Sequence, residues 1–374
     1  MNEQLVPKDA VDEMFARLAE CPAEIAGTYL RNEVQQTVAA TLLEAPPEWA
    51  AALLSGLPHF FRHDVLACMA RSRPMHPAAR AALARVLEHE FLNCLPVPAG
   101  RAEQVRRIVA LMPAELRDGA TAIIDEASPK PRVAPSPASE RATFPFADPL
   151  PPSTKTLPRV VEHMDEFERI PMLEVVYDRL VRRMSTTLRH LTGENVAIHL
   201  DQISWIRNDD YEAALPARPI SSVFASADGS MLGQLVVDLT FLQSVVEPML
   251  GGRSRANEAM RWQSRPVTSI EIEIFALVAT GILGDLSAAF SSVMDPIAFR
   301  LDRVETHARF ASIAPPTEAM VAARGRITFG EYGGRWDMLF SHAAIDRLRD
   351  VLLPLIPPTP TRGWPGRADR ERAA

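Results

Sequence analysis

Through the first 127 residues of the chain, apolar side chains recur at the 3.6-residue period of an α-helix. Pro47 stands at a favoured first-turn position of one such segment, and Pro58 closes it. Short amphipathic helices joined by proline-containing turns are typical of a right-handed stack of the armadillo type, because each helix can bury one stripe against its neighbours. We therefore predict an all-α, armadillo-like N-terminal domain over residues 1–127, with these stripes: Ala50, Leu53, Leu54 and Leu57; Phe61, Val65 and Met69; Leu83, Val86, Leu87 and Phe91; Val105, Ile108, Val109 and Met112.

Prolines recur every few positions between residues 128 and 158, where they remove the backbone donors that a helix or a sheet needs. This stretch is predicted to be a semi-extended, Pro-rich linker. A second proline-rich stretch opens residues 354–374, and its charged ending predicts a disordered tail.

Between the two proline-rich stretches, over residues 159–353, helical stripes alternate with short strand-like runs. The Asp228-Gly229 pair supplies a hairpin turn between two of the predicted strands. The order of the elements predicts an α+β domain and not repeating βαβ units, so the chain is expected to be multidomain. The predicted helices are 173–188, 241–250, 270–290 and 343–353, and the predicted strands are 195–200, 221–225, 232–239, 297–301, 319–323 and 325–329.

Composition narrows the classes of function. A net charge of −7 and a sequence pI near 5.8 give no general attraction to nucleic acid or to anionic lipid. Cys21, Cys68 and Cys94 lack the close pairing of metal or redox motifs, so we expect buried thiols in a reducing cytosol and no disulfides. The longest apolar run, residues 274–286, is shorter than the ~20 residues that a membrane span needs. We expect no cofactor, no metal, no nucleic acid and no membrane insertion.

Residues 29–43, YLRNEVQQTVAATLL, resemble a helix start in the middle domain of the flagellar rotor protein FliG, which reads Glu-His-Pro-Gln-Thr-Ile-Ala. The resemblance covers about residues 20–127 and includes a leucine-rich helix, a Leu-Pro pair and an Arg-x-Asp-Val helix start in register. Val34 and Gln35 stand where that family has His and Pro. Because proline lacks a backbone N–H, its loss restores a donor and lets the helix start earlier.

Residues 243–254, QSVVEPMLGGRS, resemble the helix and the Gly-Gly-x-Gly loop in the middle domain of the switch protein FliM. This resemblance covers about residues 165–353 and implies an α+β domain of the CheC/FliM-middle type. Thr268 and Glu271 match a Thr-x-x-Glu helix start of that family and have the spacing of a capping box. Arg253 stands where the family has a variable residue, and the last glycine of the loop motif is replaced by serine.

In those families the two resembling segments are the two sides of one protein–protein contact, and here they lie on a single chain. The resemblance implies a non-enzymatic component of the bacterial flagellar motor switch, the C-ring, which couples rotor subunits in motility and chemotaxis. It implies FliG, FliM or FliN partners, or the chain's own second domain, within a homo- or hetero-oligomeric ring. It also implies a cytoplasmic place at the basal body, peripheral to the inner membrane. The candidate protein-binding residues are Glu33, Gln35, Gln36, Gly251, Gly252 and Arg253.

Plainer structural roles are open for these residues. Asn32 can cap the helix while Gln36 reaches back to it. Gly251-Gly252 can simply end a helix, because glycine adopts left-handed backbone angles without a Cβ clash. Residues 8–15, KDAVDEMF, faintly resemble the FliM peptide for a phosphorylated response regulator, and equally fit an amphipathic first helix packed on the stack.

Two other functions stay open. A general interaction scaffold, for example in a secretion system, would keep both folds without a flagellar role. A phosphatase of the CheC and CheX type would act on the same response regulator, but those enzymes need a Glu and an Asn one helical turn apart. Residues 278–283, VATGIL, contain neither. His59 and His63 are four apart, but with no third ligand and no HExxH arrangement they predict no metal site.

Overall fold

A computed structural model describes residues 8–92, 170–215, 218–252, 265–329, 332–348 and 352. The stripe at 105–112, Cys94, the predicted linker 128–158, Arg253 and the tail 354–374 lie outside the described residues. The division into domains 1–127, 128–158, 159–353 and 354–374 therefore stays a prediction.

The helical half, residues 8–92, consists of short helices, as the apolar period predicts. Proline holds the first position of two of them, where a missing N–H costs no intrahelical bond. The stripe residues Leu53, Val65, Leu83 and Leu87 are buried. The helices are α1 Lys8–Arg17, α2 Ala23–Leu30, α3 Gln35–Glu44, α4 Pro47–Gly56, α5 His59–Arg71 and α6 Pro77–Leu87, with a π-helical turn at Glu88–Leu92.

The sheet half, residues 170–352, is an α+β arrangement, as predicted. Its strands form one antiparallel sheet in the order β1-β5-β6-β3-β2-β4. The strands are β1 Val196–Arg207, β2 Ile220–Ser226, β3 Leu232–Val237, β4 Phe299–Glu305, β5 Ala319–Phe329 and β6 Tyr332–Ser341. The helices are α7 Pro171–Thr192, α8 Asn208–Ala214, α9 Leu239–Met249, α10 Ser269–Phe290, α11 Ala308–Ala311 and α12 His342–Asp346.

The long helices α7, α9 and α10 lie on one face of the sheet, against β1, β6 and β4 respectively. Alternation along β5 separates the two faces. Val321 and Ala323 enter the main core under the helices, whereas Met320 and Ala322 join a smaller cluster on the opposite face. The helical layer therefore presents the ends of α9 and α10 beside the sheet, where the helical half meets them.

Three strands differ most from the sequence prediction, and β4 is shifted from 297–301 to Phe299–Glu305. β5 is one strand where two were predicted, because its central residues pair with β1 on one side and β6 on the other. β1 is about twice the predicted length, and β6 was not predicted at all. Gly333 and Gly334 resemble a turn in sequence, but they lie in β6, where they pair with Thr328 and Ile327 of β5 and other backbones approach closely. A Cβ on them would lie 2.0 Å from Ile327 O and 2.3 Å from Phe241 N.

Two local predictions are settled by backbone geometry. The hairpin between β2 and β3 turns at Gly229, whose φ is +71°, and the predicted Asp-Gly turn is confirmed. The predicted final helix, 343–353, is interrupted. α12 ends at Asp346 and a turn follows at residues 347–348, Leu352 is helical again, and residues 349–351 lie outside the described chain.

Among the described residues, α10 is the one helix long and apolar enough to cross a membrane. It has 22 residues, so the apolar run of 274–286 underestimated its length. Half of its most apolar 18-residue window is buried inside the protein, and α10 packs against α6, α7 and β4. A buried core helix has the same length and composition as a membrane span, so these two properties alone do not separate the two cases.

The hydrophobic core runs without interruption from the helical half into the sheet half. The contact between α6 and α10 joins them, and Leu83 and Leu87 on one side and Ile270 and Ile274 on the other are fully buried. The two halves therefore form one packed unit with a polar contact at its edge, and the candidate residues lie in that contact.

Candidate protein-docking site between the two halves

The start of α3, residues 33–36, has no side-chain cap. Val34 holds the N-cap position and the helix begins at Gln35, so both the predicted cap by Asn32 and the predicted earlier start are wrong. The preceding turn explains this, because the backbone N–H groups of Asn32 and Glu33 still donate to carbonyls of α2, at 3.0 and 3.1 Å. The side chains at this helix start are therefore free to face the sheet half.

The glycine loop, residues 249–252, follows the last turn of α9. Gly251 has a φ of +81°, and its N–H and that of Gly252 donate back to the helix at 2.9 Å, so the predicted glycine ending is confirmed. A helix end leaves carbonyl oxygens without intrahelical partners. Here three successive carbonyls accept from the helical half: Met249 O from His76 N at 2.9 Å, Leu250 O from Gln36 Nε2 at 2.9 Å and Gly251 O from Arg73 N at 2.8 Å.

Both glycines lie at this close approach, and they differ in how strictly the space excludes a Cβ. A Cβ on Gly251 would lie 2.1 Å from the carbonyl oxygen of Arg73, which is backbone and cannot move aside cheaply. A Cβ on Gly252 would lie 2.7 Å from Glu247 Cγ and 2.9 Å from Gln36 Cδ, which belong to flexible side chains. Gly251 is therefore the stricter requirement, both for its backbone angles and for the space it leaves.

Gln36 is the side chain that spans the contact. It is buried, and its amide nitrogen also donates to Ser72 Oγ at 3.0 Å. Ser72 Oγ in turn donates to Cys68 O at 2.9 Å, so the amide is held from the end of α5. Gln36 does not reach back to the backbone of its own helix start, and the hydrogen bonds of its amide go to Ser72 and to the glycine loop.

A second polar contact lies at the start of α10. Thr268 caps α10 and forms the predicted capping box with Glu271. The same hydroxyl donates to Glu33 Oε2 at 2.9 Å, which ties the α3 start to the α10 start. The hydroxyl groups of Tyr29 and Ser269 share a hydrogen bond of 2.8 Å beside it.

Glu33 is a carboxylate buried at this junction, with only 4% of its surface exposed. Burial and the neighbouring carboxylate of Glu271 raise its pKa, the Thr268 hydroxyl and Arg265 oppose the rise, and the net pKa is about 7. Arg265 forms an ion pair with Glu271, so its positive charge is largely balanced by Glu271 and not by Glu33. Near neutral pH, Glu33 is therefore shared between its charged and its protonated form.

Ion pairs surround the contact where it meets solvent. Arg85 of α6 pairs with Glu273 of α10 at 2.8 Å, and Arg73 pairs with Glu194 at 3.2 Å. Each of these side chains is more than a third exposed, so each pair adds only ~0–1 kcal/mol. They orient the two halves, while the buried carbonyl bonds and the apolar core hold them together.

The model of the flagellar motor switch protein FliM matches residues 166–355, which is half of the chain. The chain belongs to the FliM family. The model of the FliG middle domain matches residues 23–95 as well, so the two family matches fall on the two sides of the contact. The glycine loop and the α10 start lie in the FliM-matching part, and the α3 start lies in the FliG-matching part.

Relatives in sequence carry the same family name. The FliM of Caulobacter vibrioides strain NA1000 is 42% identical over 187 residues, which cover 50% of this chain and 50% of the relative. The FliM of Borreliella burgdorferi is 23% identical over 205 residues, which cover 54% of each protein. The chain thus spans about half the length of the curated relatives it matches.

Two solved structures show a weaker likeness. The matched chain of the FliG-FliM complex from H. pylori has a TM-score of 0.44 and 18% identity, with 48% of this chain and 96% of that chain covered. FliY from Thermotoga maritima has a TM-score of 0.44 and 12% identity, with 50% and 96% covered. At these TM-scores the likenesses add nothing to the assignment.

Four of the six candidate residues meet at the contact, namely Glu33, Gln36, Gly251 and Gly252. Gln35 takes the first position of α3 and is half-buried, and within the described residues no hydrogen bond joins it to the FliM-matching half. Arg253 lies outside the described residues. Their role as a protein-binding site remains a proposal, which is made below.

Sequence reasoning missed several residues of the contact. Arg73 and His76 contribute main-chain N–H groups, which no side-chain motif can reveal. A signal was present in the segment SRPMHP, where prolines leave few donors and the remaining ones need partners. Thr268 was recognised as a helix cap, but its second bond to Glu33 joins residues 235 positions apart and is invisible in sequence.

Residues 8–15 lie in α1, with Val11, Met14 and Phe15 buried in the core and α1 packed against α6. The apolar side chains of this segment are therefore committed within the chain. This agrees with the prediction of an amphipathic first helix packed on the stack. The structure adds no support to the faint likeness of this segment to the FliM peptide for a response regulator.

The described part of the FliM-family chain includes a cavity lined by three carboxylates. The same part of the chain contains no group of three side chains placed to hold a metal ion. The cavity, of about 810 Å³, lies on the sheet face opposite the helices, but its three carboxylates already accept hydrogen bonds from within the chain. Asp201 accepts from Arg326, Asp238 from the backbone of α9 and Asp337 from Tyr211 Oη at 2.9 Å.

Proposed function

We propose that this chain is a non-enzymatic component of the bacterial flagellar motor switch, which couples rotor subunits through a contact of the FliG–FliM type in motility and chemotaxis. The observation that carries the proposal is the row of three loop carbonyls bonded to the helical half. Family membership supports the flagellar setting, and the FliG-middle match on the same chain supplies the second side of the contact.

The contact is suited to mechanical coupling. Two of its three carbonyl bonds join main chain to main chain, at Arg73 and His76, so no flexible side chain lies between the halves there. The glycine loop directly follows α9, and the apolar core continues from α6 into α10. A rotation of either half is therefore passed to the other with little slack, which is what a switch component needs.

The partners that follow are rotor proteins of the FliG, FliM or FliN type, arranged in a homo- or hetero-oligomeric ring. The proposal locates the protein in the cytoplasm, at the basal body and peripheral to the inner membrane. The absence of enzymatic activity is part of the same proposal. It is supported by α10, where the segment that would carry a phosphatase pair has Val278, Ala279, Ile282 and Leu283 buried. Its exposed Thr280 bonds its own helix at 2.8 Å.

A motility assay with a matched glycine pair tests the proposal. In a strain lacking this chain, Gly251→Ala should restore swarming or directional switching poorly, because its Cβ meets the Arg73 carbonyl oxygen at 2.1 Å. Gly229→Ala is the control, since Gly229 has a similar φ of +71° but open space around a Cβ. Both variants carry the same backbone strain of ~1–2 kcal/mol, so their difference reports the contact alone.

Three results decide the outcome. Wild-type chain that restores motility, together with failure of Gly251→Ala and success of Gly229→Ala, supports the proposal. Normal swarming and switching in the deletion strain would contradict the flagellar role. Full function of a folded Gly251→Ala chain would contradict the part assigned to the glycine loop.

A further inference from the structure

The contact between the halves is exclusive. A single Cβ on Gly251 already has no room against Arg73, and all three loop carbonyls are occupied by donors of the same chain. A second helical half can therefore reach the glycine loop only after the first has left. Any partner that uses this loop competes with the chain's own residues 8–92.

The covalent connection does not determine which copy supplies the helical half. The two sides of the contact are separated by residues 93–169, and Gln36 and Leu250 lie 214 positions apart. The sequence predicts a Pro-rich linker at residues 128–158, and a flexible chain of that length would have a root-mean-square span of about 30 Å, which gives a local concentration in the millimolar range.

We infer that the glycine loop of one copy accepts the helical half of a second copy in exchange for its own. The bonds formed between copies are the same as the bonds formed within one chain, so the strength of the contact cancels. The ratio of exchanged to closed chains therefore depends only on two concentrations, the local concentration that the tether gives to the chain's own helical half and the concentration of neighbouring copies. Because the two surfaces differ, exchange joins copies head to tail, and such a contact closes into a ring or extends into a filament.

This inference rests on the proposed function for the circumstance in which exchange matters. In dilute solution a copy meets its neighbours at micromolar concentration, so the closed single chain dominates. In an assembly that holds copies side by side, a neighbour within about 50 Å matches the tether at a few millimolar. The contact then links neighbouring copies.

Cross-linking of full-length chains tests the exchange. Arg85 and Glu273 are partly exposed and face each other across the contact at 2.8 Å. Chains carrying Arg85→Cys or Glu273→Cys, each with Cys94→Ser, are mixed and treated with a short bismaleimide. The pair is tested freely at micromolar concentration and also held together by a leucine zipper fused after Ala374. The chain with both cysteines shows that the pair can be linked within one copy.

We expect a covalent dimer in the zipper-held mixture, in a yield within a fewfold of the intrachain link of the double variant. The free mixture at micromolar concentration should give at least tenfold less. Arg182→Cys replaces Glu273→Cys in the control, because Arg182 is 76% exposed and pairs within α7. The control pair should give no dimer above background.

Absence of the dimer in the zipper-held mixture, with efficient linking in the double variant, would overturn the inference. So would a zipper-held dimer that forms equally with Arg182→Cys. The proposed function fails separately, since its test is motility. Exchange in the test tube combined with normal motility of a deletion strain would leave the exchange standing and the flagellar role refuted.

Discussion

Glu33 is a carboxylate at a buried junction, held by one hydroxyl and facing a second carboxylate. A charge removed from water needs a partner, and the nearest cation, Arg265, is paired with Glu271. The docked state therefore binds a proton at Glu33 more readily than the open state does. This makes the contact between the halves sensitive to pH in a direction that can be stated.

Docking should weaken as pH rises. The pKa of Glu33 is raised from an ordinary 4.5 to about 7 in the docked chain. Separation of the halves removes Glu271 from its side and opens it to water, so we expect the ordinary value to return in the open state. The stabilisation is then complete below the open-state value and is lost as pH rises through the docked value. Between pH 6 and pH 8, the dissociation constant of the halves should rise about tenfold. Titration between the halves of a chain cut in the linker measures this.

Glu33→Gln removes the titrating group and keeps a side chain of the same shape. The dissociation constant of this variant should stay level between pH 6 and pH 8. The difference from wild type then separates the effect of Glu33 from that of other groups whose pKa is raised by burial, such as Asp285 and Asp337. A wild-type constant that is also level, or that falls with pH, would show that the buried carboxylate does not control the contact.

At the scale of elements, the start of α10 serves two helices. The Thr268 hydroxyl accepts from the Glu271 N–H and donates to Glu33, so one side chain caps α10 and binds the α3 start. The end of α9 also serves both halves, because the carbonyls left without partners at the helix end accept hydrogen bonds from the helical half as well as within the glycine turn. Helix ends, and not helix faces, supply the polar part of the contact.

Replacing Thr268 by Val should destabilise the chain by ~1–3 kcal/mol, because α10 loses its cap and Glu33 loses its hydrogen-bond donor. Urea unfolding measures the change, and the same replacement in a Glu33→Gln background measures the coupling between the two residues. We expect a coupling above ~0.5 kcal/mol.

Ser341→Ala provides the matched cap deletion, since Ser341 caps α12 far along the chain from the contact. Its coupling with Glu33→Gln should be near zero. Equal coupling in both pairs would mean that Thr268 acts only as a helix cap and does not bind the α3 start.

For the whole molecule, one continuous core joins a part that matches FliG to a part that matches FliM. The linker is therefore not what keeps the halves together. Buried apolar residues on α6 and α10 and the bonded carbonyls of the glycine loop remain after the chain is cut.

A protease site placed within residues 128–158 tests this directly. After cleavage, the two fragments should elute together in size-exclusion chromatography at micromolar concentration. The same cleaved chain with Gly251→Ala should show partial or full separation, because the loop can no longer approach Arg73. Separate elution of the cleaved wild-type fragments would refute strong docking.

The sequence by itself determined the two fold classes, the glycine ending of α9, the Asp-Gly hairpin and the capping box of α10. Each depends on neighbours in the chain, through helical period, backbone freedom or i,i+3 spacing. It also singled out four residues that lie at the contact between the halves, because their segments keep a family pattern.

Only the tertiary structure decided what those residues contact. Main-chain donors of Arg73 and His76 carry no side-chain signal, the Glu33–Thr268 bond spans 235 positions, and β6 is a strand through its pairing with β3 and β5. The prediction of the start of α3 was wrong for the same reason. The backbone N–H groups of Asn32 and Glu33 donate to carbonyls at the end of α2 and are not available to a local cap. At these positions the local sequence is compatible with more than one conformation, and long-range packing determines which one forms.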